Sequence, residues 1–271
     1  MERYSLSPIK LSESIFKNRE LLKSLIVRDI KSKYTGSFIG VLWLVINPVI
    51  MLAIYTFVFS VVFNARWTAN SESKVEFALV LFAGMMIFNI FSECISRAST
   101  LILQNTNLVK KVVFPLEFLV IVNLGSALFN FLISLMVWLI LYSVIYGELN
   151  ATLFFLPFYL IPYALFILGV SWFMCALGVY LRDLAQIINL SITVLLFMSP
   201  VFYPITALPE EFRSYLYINP MTYVIETFRD IVYFDNFSYE SFFVPVIVSM
   251  IVAWLGFIFF QKTRRGFSDV I

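Results

Sequence analysis

The 271-residue chain has no histidine, only two cysteines and few charged residues. Without histidine it lacks the commonest metal ligand and the commonest general base of enzymes. Cys94 and Cys175 lie in apolar stretches, which favours buried thiols over a disulfide framework or a zinc site. Charged residues make up 13% and hydrophobic residues 61% of the chain, whereas soluble domains are about 25% charged. This composition excludes a soluble or disordered chain and predicts a multi-span membrane protein. The net charge of +2 gives no indication of nucleic-acid binding.

Six apolar segments dominate the sequence. A helix needs roughly 20 apolar residues to cross a hydrocarbon core about 30 Å thick. Segments of about that length or longer cover residues 37–63, 77–97, 117–146, 153–180, 187–203 and 242–261. The chain is therefore predicted to be an all-α, polytopic membrane protein with six transmembrane helices.

The distribution of lysine and arginine predicts how these segments are oriented. If the N-terminus is cytoplasmic, 15 of the 19 basic residues lie on the cytoplasmic side. The four on the other side are Arg66, Lys74, Arg213 and Arg229. Both termini are thus expected in the cytoplasm, in a protein of the inner (plasma) membrane. Residues 1–36 then form a cytoplasmic N-terminal segment, residues 37–261 the transmembrane domain, and residues 262–271 a cytoplasmic tail.

The stretch 204–235 fits neither a lipid-facing helix nor a solvated loop. It is rich in phenylalanine, tyrosine and isoleucine, yet it carries several charges. Among these are Glu210, Glu211, Arg213, Glu226, Arg229 and Asp230. A charge at mid-bilayer costs at least ~2.5–3.5 kcal/mol, so this stretch should not cross against lipid. We expect two short helices that dip back into the outer leaflet and pack against protein, where broken backbone is tolerated.

Residues 11–34 are predicted to form an amphipathic helix along the inner interface. The apolar side chains on one stripe of this helix are Ile15, Leu22, Ile26 and Ile30. The charged side chains lie mostly off that stripe. The pattern is typical of a basic membrane anchor, of a docking surface for a cytoplasmic partner, or of both.

The segment 103–115 also has two interpretations. Asparagine and threonine interrupt its apolar residues before two lysines and a final proline. It is either a solvated turn with basic residues on the inner side, or a short helix pressed into a partner's cleft. Its spacing alone does not choose between them.

Several motifs, in order along most of the chain, resemble one family. They are Arg28-Asp29-Ile30-Lys31-Ser32-Lys33-Tyr34 with Gly40, Leu42-Trp43 and Pro48; Lys110-Lys111-Val112-Val113-Phe114-Pro115; Tyr180-Leu181-Arg182-Asp183-Leu184-Ala185-Gln186-Ile187; Phe197-Met198-Ser199-Pro200-Val201-Phe202-Tyr203-Pro204; and Asn219-Pro220 with Phe228-Arg229. Together they are similar to the ABC-2 type transporter permeases. They resemble in particular the branch that exports polysaccharides and polyol phosphates: O-antigen, capsule and teichoic acid.

The resemblance implies a homodimer of six-span subunits that binds two copies of a separate cytoplasmic ABC ATPase. It also implies that the amphipathic helix and a coupling loop at about 100–114 contact this ATPase, and that helices at about 204–235 form an outer gate. The candidates for ATPase coupling are Arg28, Asp29, Lys31, Asn107, Lys110 and Lys111. The chain has no G-x-x-x-x-G-K-[ST] phosphate-binding loop. No cofactor is therefore expected in this chain, and ATP and Mg²⁺ are expected on the partner subunit.

The implied cargo is a lipid-linked polysaccharide, which presents both C–H faces and hydroxyl groups. Aromatic rings bind such C–H faces by repeated weak contacts that let a polymer slide. The candidates for lining a conduit are Trp43, Tyr55, Phe59, Phe197, Phe202 and Tyr203. The alternative for each is packing in the protein core or in the aromatic belt at the membrane interface.

A further set of residues is predicted to have structural or gating roles. Its members are Pro48, Glu93, Arg97, Arg182, Asp183, Pro200 and Pro204. Glu93 and Arg97 lie four residues apart, which favours an intrahelical ion pair over a contact with substrate. Arg182-Asp183 either stabilises a short inner turn or contacts the phosphate of the cargo. Pro48 is expected to kink the first span.

Other functions stay open at this point. One is an ABC-2 permease for a drug or a small lipid. Another is an integral-membrane enzyme acting on polyprenyl lipids. It needs clustered carboxylates, a D-x-D motif or basic phosphate-binding groups beside a membrane face, and none of these is evident in the sequence. A third is an ion-coupled secondary transporter, which usually carries carboxylates near mid-span. The middle thirds of the apolar segments contain no Asp or Glu.

Overall fold

The computed structural model describes residues 6–63, 67, 74–110, 114–236 and 242–270. Within these residues the chain is helical and contains no β-strand, which confirms the predicted fold class. The α-helices are α1 (Pro8–Lys17), α2 (Arg19–Tyr34), α3 (Trp43–Tyr55), α4 (Lys74–Ala98), α5 (Leu101–Gln104), α6 (Thr106–Lys110), α7 (Glu117–Tyr146), α8 (Leu156–Tyr180), α9 (Leu184–Phe197), α10 (Glu210–Leu216), α11 (Pro220–Val232), α12 (Phe243–Thr263) and α13 (Phe267–Val270).

Five helical stretches among the described residues are long and apolar enough to cross a membrane. They are Gly40–Phe59, Val75–Ala98, Glu117–Tyr146, Ala151–Tyr180 and Phe243–Gly266. These stretches correspond to the first, second, third, fourth and sixth predicted spans. The polytopic architecture is therefore confirmed.

The fifth predicted span is shorter than expected. Helix α9 contains 14 residues, which gives a length of about 21 Å, whereas the hydrocarbon core is about 30 Å thick. The helix ends shortly before Ser199-Pro200, because the residue that precedes a proline is disfavoured in the helical conformation. Turns follow, and then α10 and α11 provide the two short helices expected before the last span.

Helix α4 is the central helix of the membrane domain. In its most apolar window 72% of the residues are buried, against 17–33% in the other four spans. Two aromatic side chains donate hydrogen bonds to its backbone carbonyls. Trp138 Nε1 of α7 donates to Leu79 O at 2.9 Å, and the Tyr163 hydroxyl of α8 donates to Ile87 O at 2.8 Å. Lipid offers no hydrogen bonds, so these donors need partners inside the protein. They fix α4 to α7 and α8.

Helices α8 and α12 pack with their backbones in contact. A Cβ atom added at Gly169 would lie 2.4 Å from Val252 O, and one added at Gly256 would lie 2.0 Å from Gly169 O. Neither position has room for a side chain. Small residues let helices approach closely in lipid, where van der Waals contact drives association. These two glycines therefore make the close α8–α12 contact possible.

The N-terminal segment forms two helices instead of the single amphipathic helix that was expected. Helices α1 and α2 meet at Asn18, whose Nδ2 donates to Ser14 O at 2.8 Å and binds the end of α1. The apolar face of α2 packs on α7, where Leu22 joins a buried cluster with Phe118 and Val122. Of the predicted apolar stripe, Leu22 and Ile30 are buried, whereas Ile15 and Ile26 are half-buried against the same cluster beside α7.

Pro48 lies inside α3 and is buried. The helix continues past it to Tyr55 and then widens into a π-helix over Thr56–Val62. Proline removes one backbone donor from a helix interior. The kink expected at this residue stays a prediction. Cys94 and Cys175 are buried free thiols, as predicted.

Candidate functional site

Four charged side chains of α2 and α4 form one cluster beside α7. Arg97 donates two hydrogen bonds to Asp29, from Nη1 to Oδ2 at 3.1 Å and from Nη2 to Oδ1 at 2.9 Å. Lys33 forms an ion pair with Glu93 and also donates to Ser126 Oγ at 2.8 Å. Two pairs of opposite charge therefore join α2 to α4, and Ser126 adds a contact to α7.

The prediction that Glu93 and Arg97 pair with each other is wrong. Each of them binds a residue of α2, because α2 packs on α7 beside α4 and presents an opposite charge to each. All four side chains of the cluster are between 19% and 32% exposed, so water screens these pairs less than it screens pairs at the surface. The cluster has two positive and two negative charges and is electrically neutral.

The Asp29 carboxyl is held in its ionised form by this cluster. Burial acts to raise its pKa, but the hydrogen bonds from Arg97 and Ser126 and the positive charges of Arg97 and Lys33 outweigh burial. The pKa therefore lies below its ordinary value. Asp29 is a predicted coupling residue, and the structure places it in an internal contact between helices.

The predicted coupling segment forms the short helices α5 and α6, which are separated at Asn105. Asn107 and Lys110 are exposed on α6. Lys111 lies outside the described residues. On α2, Arg28 and Lys31 are exposed.

A cavity of about 330 Å³ separates α2 from α5, and Arg28, Asp29, Arg97 and Gln104 line it. The structure therefore brings two of the predicted coupling residues of α2 next to the coupling segment. Lys31 lies instead beside an apolar groove that includes Phe129 of α7.

The C-terminal residues pack beside this region. Arg264 Nη1 donates to Glu117 Oε2 at 2.7 Å, and Arg264 Nη2 donates to Phe114 O at 2.8 Å. Phe267 is buried in a cluster with Leu108 and Phe114 packed against it. Neither Glu117 nor Arg264 was among the predicted site residues, although the basic residues after the last span were a signal for a contact here.

Four of the six aromatic candidates form a continuous series of ring contacts. The ring centroids of Tyr55 and Phe59 lie 6.5 Å apart, those of Phe59 and Phe202 lie 6.3 Å apart, and those of Phe202 and Phe197 lie 5.8 Å apart. The series joins the π-helix after α3 to the end of α9. Phe197 is 64% exposed at one end of it. A conduit wall built from these rings stays a prediction.

The other two aromatic candidates make local hydrogen bonds. Trp43 Nε1 donates to Ser37 Oγ at 3.1 Å, at the opposite end of α3 from Tyr55. The Tyr203 hydroxyl donates to Phe197 O at 3.1 Å. Trp43 is therefore separate from the aromatic series, whereas Tyr203 lies beside it.

Arg229 of α11 is completely buried. Its guanidinium group donates to the carbonyl oxygens of Val80, Pro200 and Val201 and to the carboxylate of Glu226. It also lies 4.3 Å from the ring centroid of Trp67, which is a cation–π distance. These contacts fix α11 to α4 and to the turn after α9. From the sequence, Arg229 was one of several charged residues in the stretch 204–235, and no separate role was predicted for it.

The remaining structural candidates lie in turns. Arg182 and Asp183 are exposed between α8 and α9, where the backbone carbonyl of Asp183 accepts hydrogen bonds from the first turn of α9. The Pro200 carbonyl is an acceptor for Arg229. Pro204 directly precedes the 3₁₀ helix Ile205–Ala207. Their gating roles stay predictions.

The chain is similar in sequence to several named export proteins. The chain is 28% identical over 269 residues to an O-antigen export system permease protein of Myxococcus xanthus, which covers 97% of this chain and 100% of that protein. It is 24% identical over 216 residues to a polysialic acid transport protein of Escherichia coli, at 78% and 80% coverage. It is 21% identical over 261 residues to a capsule polysaccharide export inner-membrane protein of Neisseria meningitidis, at 94% and 95% coverage.

A family profile gives the broader assignment. Residues 20–233 match the sequence profile of the ABC-2 type transporter family. The match begins in α2 and ends just after α11, so it contains the charged cluster, the coupling segment and Arg229. The match covers most of the chain, and five helices in the described part are long and apolar enough to cross a membrane. The chain therefore belongs to the ABC-2 type transporter family and is a multi-pass membrane transport protein rather than an enzyme.

Proposed function

We propose that this chain is the transmembrane permease subunit of an ATP-driven exporter for a lipid-linked cell-surface polysaccharide. O-antigen is the first candidate for the cargo, and the direction is from the cytoplasm across the inner membrane. The observation that carries this proposal is the similarity to an O-antigen export permease, which extends over 97% of the chain. The relatives named for polysialic acid and capsule polysaccharide support a polymeric glycan as the cargo class.

The energy for export comes from a separate ABC ATPase. The sequence contains no G-x-x-x-x-G-K-[ST] loop, so ATP and Mg²⁺ bind to that partner. Two ATPase copies act on a homodimer of this chain, and a conduit lies on the two-fold axis between the protomers. ATP drives export because it binds more tightly to one conformation of the assembly than to the other.

The proposed contact with the ATPase lies on the exposed surfaces of α2 and α6. Arg28, Lys31, Asn107 and Lys110 offer charged or amide groups there. Helix α2 is held to α4 by two ion pairs and packs on α7. A displacement of α2 by the ATPase is therefore passed to the membrane domain.

A capsule polysaccharide is the second candidate cargo. The relative from Neisseria meningitidis supports it, because its similarity extends over 94% of this chain. The lower identity of 21%, against 28% for the O-antigen permease, places it second.

The decisive experiment is deletion of the gene, followed by analysis of surface glycans and of lipid-linked glycans inside the cell. We expect one surface polymer to disappear and its lipid-linked form to accumulate, with both changes reversed by a plasmid copy. The identity of the missing polymer distinguishes O-antigen from capsule. Unchanged surface glycans without internal accumulation would contradict polysaccharide export.

A further inference from the structure

A polar cavity lies between α4 and α7, within the membrane-spanning part of the chain. Its volume is about 290 Å³, near the lower end of the roughly 300–1,000 Å³ that is usual for ligand pockets. Five of the nine residues that line it are polar: Asn89, Ser92, Glu93, Asn130 and Ser134. They lie in helices that are otherwise strongly apolar.

Asn130 is the central polar residue of this cavity. Its Nδ2 donates to both carboxylate oxygens of Glu93, at 3.1 and 3.2 Å. Its Oδ1 is buried and has no hydrogen-bond partner among the residues that the structure describes. Buried polar atoms nearly always have a partner. Asn130 therefore carries an unsatisfied acceptor in the wall of the cavity, where its amide and the Glu93 carboxylate lie together.

The charge and position of the cavity narrow the class of ligand. Glu93 is paired with Lys33, so the cavity has no uncompensated charge with which to select an ion. Asn89, near the middle of α4, is exposed. A polar side chain at this depth does not face lipid without cost, and it is tolerated where it lines a water-filled cavity or contacts protein. The open hollow beside Asn89 favours the water-filled cavity.

We propose that this cavity is a sugar-binding site on the wall of the export conduit. Amide, carboxylate and hydroxyl groups of α4 and α7 bind the hydroxyls of one sugar residue. The ligand class is a neutral, hydroxyl-rich sugar unit of the exported glycan. This inference rests on the proposed function and adds to it a binding site on α4 and α7, separate from the aromatic candidates of α3 and α9.

The test measures how fast a cysteine at the cavity reacts with a charged, membrane-impermeant methanethiosulfonate reagent. The variant is Asn89→Cys, in inside-out vesicles that contain the full transporter. The matched control is Leu132→Cys, which lies on the other side of α7 from Asn130 and is also exposed. The native Cys94 and Cys175 are buried, so the unsubstituted chain gives the background. The vesicles come from cells that make the glycan and from cells that do not.

We expect Asn89→Cys to react at least tenfold faster than Leu132→Cys in vesicles without glycan, and several-fold more slowly when glycan is present. The control should not respond to glycan. Equal rates for the two variants would overturn the water-filled cavity, and a rate at Asn89→Cys that glycan does not change would overturn the sugar site. If the surface glycan of the strain depends on this gene, either result refutes the proposed sugar site in the cavity and leaves the proposed export function intact. If the surface glycan does not depend on the gene, the proposed function itself has failed.

Discussion

At the scale of single residues, burial separates the charges that hold the fold from those that are available to a partner. Arg229 is completely enclosed, and its donors bind carbonyl oxygens of α4 and of the turn after α9. Arg28, Lys31 and Lys110 are exposed on α2 and α6. Substitutions in the two groups should therefore have different consequences, for stability in the first and for assembly in the second.

Replacing Arg229 with methionine should strongly destabilise the protein. The change leaves Glu226, whose side chain is 33% exposed, and three buried carbonyl groups without their donor. A buried acceptor left without its donor costs about 1–3 kcal/mol. The measurement is the thermal midpoint of the detergent-solubilised protein, followed by size-exclusion chromatography of heated samples. Arg265→Met is the control, because Arg265 is exposed, and it should change stability by less than about 0.5 kcal/mol. Equal midpoints for both variants would contradict the role of Arg229.

The pair Asp29–Arg97 should show a measurable coupling energy. In a cycle of Asp29→Ala, Arg97→Ala and the double variant, the double change should cost less than the sum of the single changes, by about 0.5–3 kcal/mol. The reason is that each single change leaves a half-buried charge without its partner. The control cycle uses Arg19 and Glu20, which lie 3.8 Å apart at 64% and 83% exposure and should couple more weakly. Additive changes at Asp29 and Arg97 would show that the observed ion pair does not stabilise the protein.

The same cluster shows what can be predicted from the sequence at this scale. The spacing of Glu93 and Arg97 is visible in the sequence and favours a pair inside one helix. The observed partners are 60 and 68 residues away along the chain. Periodicity describes which residues share a face of one helix, but it contains no information about which helix packs there. The identity of the charged residues was therefore predictable, and their partners were not.

At the scale of helices, the glycines of the membrane domain differ in what surrounds them. A Cβ atom at Gly256 would meet the backbone of α8, with Gly169 O at 2.0 Å. A Cβ atom at Gly125 would meet only the side chain of Ile26, with its Cδ1 atom at 2.5 Å. A flexible side chain can rotate away, whereas a helix backbone has to shift together with everything packed on it.

Gly256→Ala should therefore lower the thermal midpoint clearly, by an amount that corresponds to about 1–3 kcal/mol of overpacking. Gly125→Ala makes the same chemical change in another membrane helix and should have a much smaller effect, since the end of Ile26 is able to rotate. Both variants are compared with the unsubstituted protein in the same heating assay. A larger decrease of the thermal midpoint for Gly125→Ala than for Gly256→Ala would show that the close α8–α12 contact does not determine stability in the way proposed.

Helix α6 is the element at which coupling to the ATPase should be tested. Lys110→Glu combined with Lys111→Glu should weaken co-purification of the ATPase with the permease at least severalfold, because two charges of the proposed contact are reversed. Lys10→Glu combined with Lys17→Glu changes the net charge equally on α1, where both lysines are exposed, and should leave co-purification unchanged. Full co-purification and ATPase activity of the α6 variant would argue against a coupling role for this helix.

Helix positions were predictable where hydropathy alone decides them. Five of the six predicted spans became long apolar helices, because lipid forces the backbone to satisfy its hydrogen bonds internally. Helix α9 is the exception, since Ser199-Pro200 ends it early. The break at Asn18 between α1 and α2 was missed, because the side-chain bond to Ser14 O competes locally with a continuous helix. The polar cavity was missed because Asn130 is an isolated amide in an apolar segment, and only packing brings it next to Glu93.

At the scale of the whole molecule, the position of the two termini depends on α9. Five long spans alone would place the ends of the chain on opposite sides of the membrane. Helix α9 has 14 residues and is about 21 Å long, too short to cross the hydrocarbon core alone. The chain completes a sixth crossing only if the turns after α9, together with α10 and α11, cover the rest of the membrane thickness. The buried Arg229 ties α11 to α4 and to the turn after α9, so these elements form one packed unit in which lipid is excluded from the broken backbone.

We therefore expect both termini to lie in the cytoplasm, because this packed unit lets the chain cross a sixth time and because 15 of the 19 basic residues then lie on the inner side. The measurement uses fusions of a reporter that is active only outside the cytoplasm, at residue 271, after residue 148 between the third and fourth spans, and after residue 183 between α8 and α9. The fusion after 148 should be active, and those after 183 and at 271 should be inactive. An active fusion at 271 with an inactive one after 183 would mean that α9 does not cross. The charged residues of α10 and α11 would then lie on the cytoplasmic side, and the outer gate would have to be sought elsewhere.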